Sequence, residues 1–293
     1  MYTKAYDIAK NFTHPLVVTI RFFDKTIDSG LGAFVIINNE GWLMTAAHNL
    51  GAAFAFNQHQ QELKDHIEKV EKINTDKQIK DHKRKAMAKA IKPNPKWITD
   101  FAIMLAGQPI EILEYHIHGE NDIAFLRVDK SVIADQTIFP KIIDPTTIKP
   151  GTSLMKLGFP FVEVKATFNE GTNSFQLPSN LLPVPFFPIE GIYTRNLLSG
   201  KTQDESMDII FLETSSPGLK GQSGGPICDT EGNIYAIQSQ NITLPLGFKG
   251  TVEENKKIVE ENQFLNVGIG VHPQTIVDLL NKHNIKFDIT TGQ

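Results

Sequence analysis

The stretch that decides the fold of this chain is Gly221-Gln222-Ser223-Gly224-Gly225-Pro226. Glycines on both sides of Ser223 allow backbone conformations that a side chain would forbid, and they leave the serine hydroxyl unshielded. A serine hydroxyl is a poor nucleophile at neutral pH unless a base and an orienting carboxylate lie beside it. The segment therefore predicts a nucleophilic serine only if the rest of the chain supplies both groups.

The candidate base is His48, which ends the run Gly41-Trp42-Leu43-Met44-Thr45-Ala46-Ala47-His48. An apolar, strand-like stretch gives way there to two alanines, which let neighbouring backbone approach the imidazole. A single histidine at the end of a strand is more often structural than catalytic. It is the flanking Thr-Ala-Ala that favours a catalytic role for His48.

The candidate carboxylate is Asp122, which opens the short apolar run Ile123-Ala124-Phe125-Leu126. An acid that leads into a buried strand is costly unless it accepts hydrogen bonds, and the Nδ1–H group of a histidine is a suitable donor. An Asx turn before the strand is the alternative explanation of this residue.

The serine segment also fits the G-x-S-x-G pattern of the α/β-hydrolase nucleophile elbow. That elbow runs directly into a helix, whereas Pro226 and the turn residues at 229–233 follow Ser223. The α/β-hydrolase order also needs an acid and a histidine after the serine, and the remaining tail is short. We therefore reject this fold.

The order His48, Asp122, Ser223, together with the residues around each of them, resembles the chymotrypsin-like serine proteases. Within that family the chain is most similar to the protease domain of the HtrA (Deg) type, through Gly158-Phe159-Pro160, Ser216-Pro217-Gly218 and 266–270. The resemblance spans most of the chain. The chain ends soon after this succession, so we expect no PDZ domain.

Many short β-branched and aromatic runs separated by turn residues favour an all-β fold. The resemblance implies two tandem six-stranded antiparallel β-barrels of the chymotrypsin-like fold, with the site between them. We expect the N-terminal barrel, with His48 and Asp122, at 1–135, the connection at 136–149 and the C-terminal barrel at 150–293. A closing amphipathic helix is predicted at about 273–282.

The resemblance also implies roles for further residues. The backbone N–H groups of Gly221 and Ser223 would form the oxyanion hole. Gln222 stands where trypsin carries the acid that pairs with a new N-terminus, so that activation switch is not expected. The substrate-binding residues would be Pro217, Gly218, Leu219, Lys220, Ser239, Gln240, Asn241, Gly268 and Ile269. Aliphatic Leu219 and Ile269 favour a small or medium apolar P1 side chain.

A charged segment at about 57–97 lies between the predicted base and acid and has no place in the protease pattern. Its apolar residues recur at near-helical spacing, which predicts one or two amphipathic helices inserted in the first barrel. A solvated cap on the barrel, a docking site for a regulatory protein and a lid over the cleft all fit this segment. The Pro-rich loop at 175–188 is a second departure, and substrate gating is one role for it.

The composition is that of a soluble globular protein, with 41% hydrophobic residues, 21% charged residues and a net charge of −4. We expect no nucleic acid or membrane partner, no metal and no cofactor. The single cysteine excludes an intramolecular disulfide. No apolar signal segment opens the sequence, which favours a cytoplasmic protein, although a chain trimmed of its signal would look the same.

These observations predict a serine endopeptidase that acts on protein or peptide substrates through a Ser-His-Asp triad and an acyl-enzyme. The alternative is a catalytically idle trypsin-like fold that binds other proteins through its charged insertion.

Overall fold

The protein is described by a computed structural model covering residues 1–105, 107–254 and 257–292. It is mostly β, with a few helices, and has two large sheets and one small hairpin. The first sheet is antiparallel throughout and runs in the order β5-β4-β1-β2-β3-β7-β6. Its strands are β1 (Thr13–Phe22), β2 (Ile27–Ile36), β3 (Trp42–Thr45), β4 (Ile98–Leu105), β5 (Gln108–Pro109), β6 (Glu114–His118) and β7 (Ile123–Arg127).

The second sheet has eight strands in the order β14-β9-β12-β13-β16-β15-β8-β17. They are β8 (Lys141–Ile143), β9 (Ser153–Gly158), β12 (Phe187–Lys201), β13 (Asp208–Thr214), β14 (Pro226–Cys228), β15 (Ile234–Glu254), β16 (Lys257–Val271) and β17 (Asp288–Thr290). A further pairing of β14 with β15 joins six of these strands into a closed ring. The small hairpin consists of β10 (Thr167–Asn169) and β11 (Ser174–Gln176).

The strand counts differ from the six strands per barrel that we expected. The first sheet has seven strands in a row, and the second adds β8 and β17 to its ring of six through parallel pairings. β8 lies inside the segment that we expected to be only a connection.

The central strands are apolar on both faces because each face meets a different core. In β7, Ile123 and Phe125 pack in the cluster that includes residues of the second sheet. Ala124 and Leu126 point to the opposite side, into the core of the first sheet. Strands buried on both faces have continuous apolar runs instead of an alternating pattern. The two sheets therefore pack against each other, and the predicted site residues lie where their strands end.

In the described ranges, four α-helices flank the sheets: α1 (Thr3–Phe12), α2 (Gly51–Thr75), α3 (Asp81–Ala90) and α4 (Pro273–Lys282). α1 contributes Ala5, Ala9 and Phe12 to the core cluster shared with the second sheet. It thus contacts that sheet although it precedes the first sheet in sequence.

The charged segment forms α2 and α3, and α2 begins at Gly51, before the expected start at 57. Phe56 stacks on Phe101 of β4, with ring centroids 5.8 Å apart. The Ile98 N–H group donates a hydrogen bond of 3.0 Å to Nδ1 of His59. α2 is therefore fastened to the edge of the first sheet near β4, although neither α2 nor α3 contains a buried residue.

Candidate active site

His48 lies in a single 3-10 turn, Ala47–Leu50, just after β3 ends at Thr45. The Thr45 hydroxyl donates a hydrogen bond of 2.7 Å to the carbonyl oxygen of Ala33, which ties the end of β3 to β2. Ala46 and Ala47 are buried, so small side chains are needed there. The imidazole of His48 remains half exposed, at 49% of its side-chain surface.

Asp122 precedes β7 with a positive φ of 51°, a conformation that aspartate tolerates better than most residues. Its carboxylate accepts a 2.9 Å hydrogen bond from the backbone N–H of His48. Both carboxylate oxygens also lie within hydrogen-bond distance of Nδ1 of His48, at 3.0 and 2.9 Å. An ionised carboxylate only accepts, so Nδ1 carries the proton and the Nε2 lone pair of neutral His48 is free.

The hydrogen bond to Asp122 raises the pKa of His48 above its ordinary value, against the opposing effect of burial. Burial by itself raises the pKa of Asp122. Hydrogen bonds from His48 and Ser239 outweigh burial, so the net pKa of Asp122 lies below its ordinary value. The pair thus favours an ionised Asp122 beside a histidine that binds a proton readily.

Ser223 lies in the turn between β13 and β14, and its backbone is fixed to the first sheet. Its carbonyl oxygen accepts hydrogen bonds from the backbone N–H of Ala33, at 2.8 Å, and from Nδ2 of Asn49, at 2.9 Å. Its hydroxyl donates to the carbonyl oxygen of Ser239, at 3.3 Å. These contacts hold Ser223 beside the segment that carries His48.

The glycine at position 224 is required by close packing. A Cβ there would lie 2.2 Å from both the carbonyl oxygen of Ala33 and Oγ1 of Thr45. The φ of Gly224 is also positive, at 84°. Any larger residue at this position would push the Ser223 turn away from the first sheet.

Gln222 has an internal structural role in this turn. Its side chain is fully buried, accepts a hydrogen bond of 2.9 Å from the Leu219 N–H and donates one of 3.0 Å to the Phe187 carbonyl. An uncharged amide therefore braces the turn where trypsin carries an acid.

Two residues of this site have contacts that sequence reasoning missed. Ser239, which we expected only as a wall of the substrate pocket, donates its hydroxyl hydrogen to Oδ2 of Asp122. Asn49 bridges Thr45 and Ser223 through Nδ2. Both contacts join segments that are distant in sequence, and no local motif marks them.

Two cavities open beside these groups. One, of about 340 Å³, is lined in part by His48, Lys220, Gly221 and Ser223. The other, of about 660 Å³, is lined in part by His48, Asp122, Ser239 and Gln240. His48 therefore lines both cavities, and its half-exposed imidazole is accessible to solvent.

The predicted substrate-binding residues occupy three neighbouring segments: the loop at 217–220, the start of β15 at 239–241, and β16 at 268–269. Asn241 pairs with Gly268 between the two strands. The Asn241 side chain also accepts a hydrogen bond from the N–H of Gly218, at 2.6 Å, and donates one to its carbonyl, at 2.8 Å. The structure thus brings the three segments together next to Ser223.

The described residues contain no group of three or more His, Cys, Asp or Glu side chains arranged to hold a metal ion. Among the helices of the described ranges, none combines the length and the apolar character needed to cross a membrane.

The trypsin-like peptidase domain is the family whose model matches this chain, over residues 30–237. The match covers more than half of the sequence and includes all three predicted triad residues. The chain therefore belongs to the trypsin-like peptidase family, which confirms the resemblance noted in the sequence.

Solved structures of HtrA-type proteases share the fold. The HtrA-type protease AlgW with a decapeptide matches at a TM-score of 0.50 and 15% identity, covering 96% of this chain and 67% of that chain. AlgW with a tripeptide matches at a TM-score of 0.49 and 15% identity, covering 98% of this chain. This chain spans 64% of the length of that second structure. No curated protein matches the sequence.

Proposed function

We propose that the protein is a serine endopeptidase in which Ser223 is the nucleophile, His48 the general base and Asp122 the orienting carboxylate. The observation that carries the proposal is the chain of contacts from His48 to Asp122, to Ser239 and to Ser223. It joins the three groups although they come from distant parts of the sequence. Family membership supports the same reaction class.

In the first step His48 takes the proton of the Ser223 hydroxyl while Oγ attacks the substrate carbonyl. The hydroxyl hydrogen bond to Ser239 is long, at 3.3 Å, so rotation of the side chain toward Nε2 of His48 costs little. Catalytic hydrogen bonds are often loose without substrate and tighten in the complex. Asp122 stabilises the imidazolium that forms and keeps Nδ1 protonated.

The negative oxygen of the tetrahedral intermediate would be bound by the N–H groups of Gly221 and Ser223. Within the described residues neither N–H donates a hydrogen bond, whereas those of Gln222, Gly224 and Gly225 all do. Two unpaired donors on alternate residues fit an oxyanion hole. Each such donor contributes about 3 kcal/mol to transition-state stabilisation.

Collapse of the intermediate breaks the C–N bond, and His48 gives its proton to the leaving amine. The acyl group stays on Ser223 as an ester. Water then attacks the ester, with His48 again as the base, and releases the acid. No group outside this chain and water is needed for the cycle.

We also infer that the two sheets act as the two barrels of this fold, at 1–135 and 150–293, and that the connection at 136–149 adds β8 to the second of them. The substrates are proteins or peptides. A regulatory protein that binds α2 and α3 stays a prediction. It is supported by three apolar side chains that remain exposed on these helices: Phe54, Ile67 and Met87.

Labelling with a fluorophosphonate probe tests the proposal, because the probe reacts with activated serines. We expect the native protein to be labelled and to cleave casein, and Ser223→Ala and His48→Ala to do neither. The matched controls are Ser206→Ala and His82→Ala, which change exposed residues and should behave as the native protein does. A folded native protein that takes no label and cleaves nothing would contradict the proposal and favour the idle binding fold.

A further inference from the structure

Lys156 is a buried cation in the middle of an apolar strand. It lies in β9 within Leu154-Met155-Lys156-Leu157, and only 1% of its surface is exposed. Burying an ammonium group is costly unless a carboxylate or good hydrogen-bond acceptors compensate for the lost hydration. We therefore expect a buried lysine at this position either to pair with a carboxylate or to have a role in binding.

The acceptors around Nζ of Lys156 are all uncharged. Nζ donates to the carbonyl oxygen of Ser216 and, at 2.7 Å, to its hydroxyl oxygen. A third acceptor, the carbonyl oxygen of Pro217, is 3.4 Å away, which leaves that bond weak. In the described part of the chain no carboxylate forms an ion pair with this ammonium, and burial lowers the pKa of Lys156 to about 7.

The ammonium lies where the three segments predicted to wall the P1 pocket meet. Ser216 and Pro217 begin the loop that leads to Ser223. On the facing strand, a Cβ added to Gly268 would come within 2.9 Å of Nζ. Asn241 pairs with Gly268 and is hydrogen-bonded to the same loop through Gly218. Nζ of Lys156 thus lies between the start of this loop, at Ser216 and Pro217, and Gly268 of β16.

We propose that Lys156 forms the base of the P1 pocket and makes the enzyme select an acidic side chain, glutamate or aspartate, at P1. The inference rests on the proposed function, because it assigns the specificity of that same site. A carboxylate supplies the negative charge that the neutral oxygens around Nζ do not, and it forms a charge-assisted hydrogen bond. The walls are closely packed without substrate, since a Cβ at Gly218 would lie 2.4 Å from Nε2 of Gln238 and one at Gly268 would lie 2.6 Å from the carbonyl oxygen of Ser216.

An acidic P1 side chain replaces the apolar one that we expected from Leu219 and Ile269. Ile269 is 1% exposed and packs in the shared core cluster. Lys156 lies outside the segments on which that expectation was based. In this structure Asn241 links β15 to the loop at Gly218, so an entering P1 side chain has to separate these two walls.

The test uses fluorogenic peptides that differ only at P1, with Glu, Gln, Leu or Arg. We expect the native enzyme to cleave the Glu peptide with a kcat/KM at least about tenfold above that of the Gln peptide, the factor that about 1.4 kcal/mol provides. In Lys156→Met, which keeps an unbranched side chain one atom shorter and removes the charge, the ratio of Glu to Gln should fall to about one or below.

Two further lysine variants identify the cation responsible. Lys141→Met changes an exposed lysine on β8 and should keep the native ratio. Lys220→Met removes the exposed cation of the predicted substrate-binding loop, which is the rival source of charge selection. We expect it to change kcat/KM for the Glu and Gln peptides by the same factor, so that their ratio is kept. Loss of the ratio in Lys220→Met, with its retention in Lys156→Met, would overturn the inference.

Binding to Ser223→Ala separates this inference from the proposed function, because binding needs no catalysis. Peptides ending in Glu should bind more tightly than those ending in Gln by fluorescence anisotropy. A native enzyme that takes the fluorophosphonate label but prefers Leu or Arg at P1 overturns the inference and leaves the function standing. A native enzyme that takes no label overturns the proposed protease function. The anisotropy comparison of Glu and Gln peptides still tests the P1 preference in that case. It also tests that preference if Lys156→Met fails to fold.

Discussion

Ser239 of the second sheet donates its hydroxyl hydrogen bond to Oδ2 of Asp122 of the first sheet. The carbonyl oxygen of the same Ser239 accepts the hydroxyl hydrogen bond of Ser223. One residue therefore contacts two of the three predicted triad members. This geometry couples the charge on Asp122 to the way in which the two sheets pack, so site geometry depends on both sheets.

Ser239→Ala should lower kcat/KM by about tenfold or more while the fold is retained. A hydrogen bond to a charged group is worth about 1.5–3 kcal/mol, and its loss leaves Asp122 less firmly oriented toward His48. Steady-state kinetics with a fluorogenic peptide and thermal unfolding measure the two effects. Ser206→Ala is the control for an exposed serine, and unchanged kinetics in Ser239→Ala would show that the bond has no part in catalysis.

Asp122→Asn should lower kcat by about 10⁴-fold, because a neutral amide neither fixes the His48 tautomer nor stabilises the imidazolium. The acid limb of the pH profile should also move. The hydrogen bond to Asp122 raises the pKa of His48 above 6.5. Because activity needs neutral His48, the activity of the native enzyme should appear as the pH rises through that raised pKa. Without the carboxylate that midpoint should fall. The rate of fluorophosphonate labelling against pH measures it even at low turnover.

The control for this shift is Asp129→Asn, an exposed acid after β7 that contacts Ser131 and not His48. In Asp129→Asn the midpoint of the labelling rate against pH should equal that of the native enzyme. A midpoint that stays in place in Asp122→Asn would mean that another group controls the acid limb.

Gly221→Ala tests the geometry of the predicted oxyanion hole. The φ of Gly221 is +98°, and a Cβ there would lie 2.4 Å from the carbonyl oxygen of Phe159. We expect a loss of about 3 kcal/mol in the free energy of unfolding, together with loss of labelling. Gly151→Ala is the matched control: its φ is +93° but nothing lies within 4 Å of the added Cβ.

Because Gly151→Ala carries only the conformational cost, it should lose about 1 kcal/mol and keep full labelling. Urea unfolding gives both free energies. If both variants lost the same stability and both kept their activity, the close approach of Phe159 to Gly221 would not matter for the site.

The segments that carry His48, Asp122 and Ser223 could be predicted because each is marked by its own neighbours: small residues before His48, an apolar run after Asp122, glycines around Ser223. Lys156 has no such mark. In the sequence, a lysine within an apolar strand only breaks the hydrophobic pattern. The role that we propose for it depends on its contacts with Ser216 and Pro217, which lie in another segment.

Other features of the fold could likewise not be predicted from the sequence alone. The spacing of apolar residues predicted the helical character of the insertion. It predicted neither the start of α2 at Gly51 nor the stacking of Phe56 on Phe101 of β4, a contact between segments that are distant in sequence. The parallel strands β8 and β17 of the second sheet could not be predicted either. Each is only three residues long, which is too short to show a hydrophobic period.

His272 makes the stability of the fold depend on pH. It caps α4 by accepting the Gln274 N–H at Nδ1, and burial lowers its pKa to about 4, below the 6.5 of an unfolded histidine. The unfolded chain therefore binds a proton first as pH falls, and stability is lost between pH 6.5 and about 4, by an amount on the order of 3 kcal/mol. His272→Asn keeps a capping side chain and removes the titration. Urea unfolding at pH 7.5 and 4.5 should show a smaller loss in His272→Asn than in the native protein or in the exposed control His82→Asn, and equal losses would refute this role.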